Sequence, residues 1–193
     1  TSGSLGTAGA VDGHGRVGVK QTIGDSSRLV VIEPQARLGT IVTGSYVTDA
    51  DNNIDGTLGT QHTEGISVGY VFTQGVYTPR RTGTYVSEAK EIDGFGTVIQ
   101  TVTTGDSKRI IQSDGPLSIN GEETIDTGTY VTTADNNVFG TLDTQVTTGE
   151  SKNMVAINQA GDYSSRTTGS YVTTAAVDGY GTVEATQTIG DSP

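Results

Sequence analysis

The sequence predicts an all-β repeat protein built from repeats of about 41 residues, arranged as a β-solenoid or a linear stack of short antiparallel sheets. Three observations carry this expectation. Two independent motifs recur with one shared period, runs of β-branched residues alternate with Asp-Gly and Asn-rich turns, and no segment holds an apolar stripe at 3.6-residue spacing. A four-bladed β-propeller and a row of small tandem β-sandwiches are the alternative ways to arrange such repeats.

The first motif is Gly44-Ser45-Tyr46-Val47, which returns as Gly83-Thr84-Tyr85-Val86, Gly128-Thr129-Tyr130-Val131 and Gly169-Ser170-Tyr171-Val172. A degraded copy, Gly3-Ser4-Leu5, opens the chain, so the copies are spaced by 41, 39, 45 and 41 residues. The second motif keeps step with it at Gly24-Asp25-Ser26, Gly65-Ile66-Ser67, Gly105-Asp106-Ser107, Gly149-Glu150-Ser151 and Gly190-Asp191-Ser192. These anchors divide the chain into repeats 1–41, 42–81, 82–126 and 127–167 and a half repeat 168–193. The half repeat resembles the first repeat, matching it at 12 of 17 positions from Ala10 and Ala176 onward.

Each element follows from local chemistry. In the fourth repeat 128–133 reads as a short strand and 134–138 as a turn, and 140–148 reads as a second strand. Gly149-Glu150-Ser151 then reads as a tight turn, 153–158 as a third strand and 159–162 as another turn. Gly and Asn tolerate positive φ, which is why Asp-Gly and Asn-Asn pairs between β-branched runs mark reversals. Val17, Val19, Gln21 and Ile23 fall on one side of a strand, as do Val183, Ala185, Gln187 and Ile189, opposite a Thr-rich side.

Composition narrows function. Of 193 residues, 33 are Thr and 28 are Gly, and the formal net charge is −11. Without Cys the chain has neither a disulfide scaffold nor a thiolate metal site, and two His leave little for nucleophilic catalysis, so no enzyme is expected. Acidity argues against a nucleic-acid partner, and no run of about 20 apolar residues argues against membrane insertion. The chain starts at Thr1 and its single Met is Met154, from which a removed leader or a longer parent polypeptide is expected. Together these features point to an extracellular, cell-surface or virion location.

Six sets of residues merit naming. Asp49, Asp51, Asn53 and Asp55 set oxygen side chains at alternate positions, a pattern able to wrap Ca²⁺, the one cofactor the sequence suggests. The sister loop replaces Asp49 by Thr133 and Asp55 by Phe139, which suits a self-capped Asx turn instead. Tyr46, Tyr85, Tyr130 and Tyr171 recur in register and read either as a sugar-stacking ladder or, preferably, as a column inside the fold with the hydroxyls reaching out. The Gly-Asp-Ser anchors read as hairpin turns rather than serine nucleophiles. The Thr tracts at 101–104, 144–148 and 186–188 could order surface water and bind ice, although His62 and Glu64 interrupt the register. The acidic pairs Glu122-Glu123 and Glu88/Glu91 stand isolated, where a glycosidase would need two facing carboxylates, and Arg80-Arg81 and Lys108-Arg109 read as balancing charges.

The expected role is a structural subunit: a filament built head to tail from copies of the chain by β-strand complementation. A surface-displayed binding or adhesion module for glycan or Ca²⁺ is the alternative.

Overall fold

A computed structural model describes residues 5–11, 13–32, 37–73, 76–112, 122–156 and 163–192. They form one antiparallel sheet of ten strands in strict sequence order, an open meander in which the first and last strands are not paired with each other. The strands are β1 (Leu5–Val11), β2 (Val17–Ile32), β3 (Arg37–Asn52), β4 (Leu58–Thr73), β5 (Val76–Ile92), β6 (Val98–Gln112), β7 (Glu122–Asn136), β8 (Leu142–Ala156), β9 (Tyr163–Val177) and β10 (Val183–Asp191). Of the expected arrangements the linear antiparallel stack is the one present. The repeats neither coil into a solenoid nor close into a ring, because every strand pairs with its sequence neighbours.

Five hairpin turns share one end of the sheet, each closed by a glycine at positive φ: Gly15, Gly56, Gly96, Gly140 and Gly181. In the third turn Gly96 N–H donates to Asp93 C=O at 3.0 Å and Asp93 N–H to Thr97 C=O at 2.9 Å, a type I turn with the bulge glycine in the left-handed region. Asp93 Oδ1 also accepts the N–H groups of Phe95 and Thr97, and that bonding, Thr97 foremost, holds its carboxyl below the usual range. Gly96 answers a second demand, since a Cβ there would stand 2.7 Å from the backbone N of Leu58 and 3.1 Å from Thr57 Cβ, where the preceding turn enters β4. The turns therefore abut one another along the edge.

The Gly-Asp-Ser anchors are not turns. Gly24, Gly65, Gly105 and Gly149 lie in mid-strand, so each repeat supplies two long strands rather than three short ones. The expected turn at 159–162 lies outside the described residues. Just beyond each anchor serine a single residue is left unpaired on the neighbouring strand: Thr43, Thr82, Thr127 and Thr168. Each of these bulged threonines precedes the glycine of a Gly-Ser/Thr-Tyr-Val motif.

The bulges divide the sheet into two regions. On the turn side of the bulge row all ten strands pair with their neighbours, each hairpin carrying a further register shift close to its turn. Past it, β3–β4 pairing stops at Gly44 and Ser67, β5–β6 at Gly83 and Ser107, and β7–β8 at Gly128 and Ser151. The pairs β2–β3, β4–β5, β6–β7 and β8–β9 run on as separate two-stranded arms. A bulge bends its strand and sharpens the local twist. Pro79 sits in an arm, where a strand has one neighbour and a missing N–H donor is tolerated.

Burial follows this division. Buried Ile41 and Ile125 both lie in arms, and Ile110 Cδ1 comes within 3.7 Å of where a Cβ on Gly69 would stand, bringing two adjacent arms into contact. The ten-stranded region is a single layer whose one buried apolar side chain among the described residues is Ala175. Its alternating strands were expected to be half-buried on one side, yet Val19, Ile23 and Ile189 are exposed because no second layer covers them.

Candidate functional site

Pairing register converts the sequence repeats into rows that cross the sheet. One row reads Leu5, Gly24, Tyr46, Gly65, Tyr85, Gly105, Tyr130, Gly149, Tyr171, Gly190, alternating an apolar residue or tyrosine with glycine over all ten strands. Each tyrosine ring lies over the glycine of the preceding strand. A Cβ on Gly24, Gly65, Gly105 or Gly149 would come within 3.0 Å of the ring of Tyr46, Tyr85, Tyr130 or Tyr171 respectively. The ring shields a strand backbone that glycine leaves bare, which offsets the weak strand propensity of glycine. With a glycine strand between them, successive tyrosines stand about 10 Å apart, too far to stack. The four tyrosines thus form the expected column, but on an open face rather than within an interior. Burial raises the Tyr130 phenol above its usual range, followed by the influence of Tyr85, Asp106 and Tyr171.

Two residues along the strands, on the same face, runs a second row: Thr7, Thr22, Thr48, Thr63, Ser87, Thr103, Thr132, Thr147, Thr173, Thr188. Their hydroxyls bond across the hairpins, Thr48 with Thr63 at 2.9 Å and both Thr132 with Thr147 and Thr173 with Thr188 at 2.8 Å. Sequence reading missed this unbroken register. His62 and Glu64, which seemed to interrupt it, point to the other face, flanking Thr63. The consistent offset from Tyr to Thr in Tyr-Val-Thr was the signal available.

The opposite face carries Val47, Val86, Val131 and Val172. Above them run two open grooves, one of about 480 Å³ over β7–β10 and one of about 360 Å³ over β3–β5. The larger is floored by Val131, Val172 and Ile189 and edged by Glu150 and Asp191.

The residues expected to hold Ca²⁺ are each engaged with neighbours. Asp49 and Asp51 lie within β3, where Asp49 accepts from Gln21 Nε2 at 2.8 Å. Asn53 donates to the Thr57 hydroxyl at 3.0 Å, and Asp55 accepts both the Thr57 hydroxyl at 2.7 Å and its N–H at 3.1 Å. That pair of bonds, the hydroxyl first, lowers the Asp55 pKa. Among the described residues no group of three or more His, Asp or Glu gathers as a metal site. The anchor serines Ser26 and Ser107 share hydrogen bonds with the bulge residues Thr43 and Thr127, at 3.2 and 3.1 Å.

The charged candidates pair locally. Glu88 meets Lys90 and, at 3.6 Å, His62 Nδ1, and the Lys90 bond leads the lowering of the Glu88 pKa. Lys108 bridges Asp106 at 3.0 Å and Asp126 beside the bulge. Burial pushes the Asp106 pKa up, but bonds from Thr84 and Lys108 outweigh it and leave the carboxyl below its ordinary range. The same two carboxylates, Asp126 first, raise Lys108. The side chains of Glu122 and Glu123 lie outside the described residues.

One further feature escaped sequence reading. The outermost positions of the hairpin turns expose Ile54, Phe95, Phe139 and Tyr180 at 83, 88, 87 and 90%. Turn chemistry requires only the leading Asp or Asn and the closing Gly, so the fold itself makes no use of these large side chains. Neighbouring tips are two strands, about 10 Å, apart along one edge. No family model, curated protein or solved structure matches this chain.

Proposed function

We propose that the chain is a structural subunit of an extracellular or virion-surface filament, assembling head to tail through its sheet edges. The observation that carries this reading is the open end of the sheet: every residue of β10 from Val183 to Asp191 is exposed, and among the described residues its outer edge has no paired strand. Such an edge templates further pairing, and β10 holds neither proline nor lysine to discourage it. A contact between unlike ends of identical chains does not close on itself and propagates as a filament. Net charge −11 keeps the shaft hydrated and separates neighbouring fibres. Negative-stain electron microscopy with light scattering tests the proposal: regular fibres that lengthen with protein concentration support it, and a monodisperse monomer at all concentrations removes it.

The exposed tips favour a second reading, a surface adhesion module. Aromatic rings spaced along an edge offer flat apolar faces to which sugar rings can stack. Under this reading the triple substitution Phe95→Ala, Phe139→Ala and Tyr180→Ala abolishes retention on a glycan array while the circular dichroism spectrum stays unchanged. Equal retention of both proteins excludes the tips as the contact.

A further inference from the structure

We infer that a second copy of this chain docks its β1 on β10 in one defined register, Leu5 opposite Gly190 and Thr7 opposite Thr188. This rests on the filament reading and specifies the contact that reading requires.

The internal junctions supply the rule. Wherever an even-numbered strand meets the odd strand that follows it, the anchor glycine faces a tyrosine: Gly24 with Tyr46, Gly65 with Tyr85, Gly105 with Tyr130 and Gly149 with Tyr171. Two residues on, a hydroxyl faces a hydroxyl: Thr22 with Thr48, Thr63 with Ser87, Thr103 with Thr132 and Thr147 with Thr173. Four junctions of differing sequence keep the same register, so the two rows together define how this sheet grows.

β10 is an even strand with one side of that rule unfulfilled. Its Gly190 and Thr188 occupy the glycine and threonine positions, paired inward with Tyr171 and Thr173. The other four anchor glycines lie beneath the ring of the next strand. At Gly190 the nearest atoms to a Cβ position are instead Ser170 O at 3.1 Å and Tyr171 Cβ at 3.6 Å, both from the inward partner β9.

β1 is an odd strand with the complementary side unfulfilled. It places Leu5 at the tyrosine position and Thr7 at the threonine position, paired inward with Gly24 and Thr22. Docked on β10 in the internal register, β1 continues both rows from one copy to the next without a break. The remaining pairs would be Ile189 with Gly6, Gln187 with Ala8, Thr186 with Gly9 and Ala185 with Ala10. The small residues of β1 leave room for the larger Ile189 and Gln187 opposite them, and no like charges face each other, since Leu5–Val11 holds no charged residue.

The chain contains no cysteine, so engineered thiols report the register directly. Mixing Ala8→Cys with Gln187→Cys, and separately Thr7→Cys with Thr188→Cys, tests two adjacent pairs. One of the two is necessarily the close, non-hydrogen-bonded type suited to a disulfide. Under mild oxidation at least one matched mixture forms the heterodisulfide about tenfold more than the offset control Ala10→Cys with Gln187→Cys, which lies on the same face two residues out of step. Oligomers by light scattering whose cross-links favour the offset pair, or neither matched pair, overturn the register and leave the filament reading standing. A monomer that neither scatters nor cross-links overturns both.

Discussion

The ten-stranded platform and the arms beyond the bulges are made from the same strands, yet they are held together differently. The arms are two-stranded hairpins, and they hold the buried side chains Ile41 and Ile125. In the platform both faces meet water, and cohesion comes from rows: rings over glycines, hydroxyl to hydroxyl, and backbone ladders extended over ten strands. An isolated hairpin is marginal in water, whereas a wide sheet lets each strand share two ladders. A sheet can therefore do without a second layer when its cross-strand pairs repeat.

The sharpest way to break this contrast is Ile125→Ala. Removing a buried side chain of this size costs about 2–4 kcal/mol. The loss should speed hydrogen exchange in 108–112 and 122–126 while platform amides around Tyr130 keep their protection; uniform acceleration would show that arms and platform form one cooperative unit.

The ring-over-glycine row predicts an intermediate effect. Gly105→Ala drives a methyl into the Tyr130 ring and should destabilise the platform by about 1–3 kcal/mol. In a Tyr130→Ala background the same substitution should cost nearly nothing. A double-mutant cycle of thermal or urea unfolding reads that coupling, and additive costs would mean the ring does not depend on the bare glycine.

Acid should act on turns and the bulge junction together. Asp55, Glu88, Asp93 and Asp106 all have folded-state pKa values held below the ordinary range, so each contributes stability above its unfolded value and loses it as pH falls through the folded one. The melting temperature should hold steady near neutrality and fall below about pH 4. Lys108 has the opposite sign: its raised pKa gives stability that disappears only as strongly alkaline pH passes the folded value. Asp106→Asn should flatten part of the acid limb, and an unchanged profile would remove Asp106 from the account.

The smallest effect is expected in the hydroxyl row. Thr132→Val keeps the β-branched shape but leaves Thr147 without its 2.8 Å partner. The expected cost is about 0.5–1 kcal/mol, read from the urea midpoint. A cost above that of Gly105→Ala would reverse the ranking of the two rows.

Much of this was legible in the letters. Gly96 and its counterparts mark the turns because a type I turn with a bulge demands a left-handed residue there, and Tyr46, Tyr85, Tyr130 and Tyr171 announced a register row by their period. The Gly-Asp-Ser anchors misled for a physical reason. A glycine that closes a turn and a glycine that lies under a tyrosine ring are the same residue, and only the strand beside it distinguishes them. The exposed tips Phe95, Phe139 and Tyr180 were passed over because a turn position places no demand on its side chain, so nothing local marks a large residue there as unusual.

By itself the sequence determined the all-β class, its period and the location of the five glycine-closed reversals, all of which depend on contacts a few residues apart. The tertiary structure alone decided that the repeats pair edge to edge in a single layer, that threonine bulges split the sheet into platform and arms, and that glycine and tyrosine rows cross all ten strands. Those outcomes depend on which strand lies beside which and in what register, a choice made between residues about 20 positions apart, such as Gly24 and Tyr46.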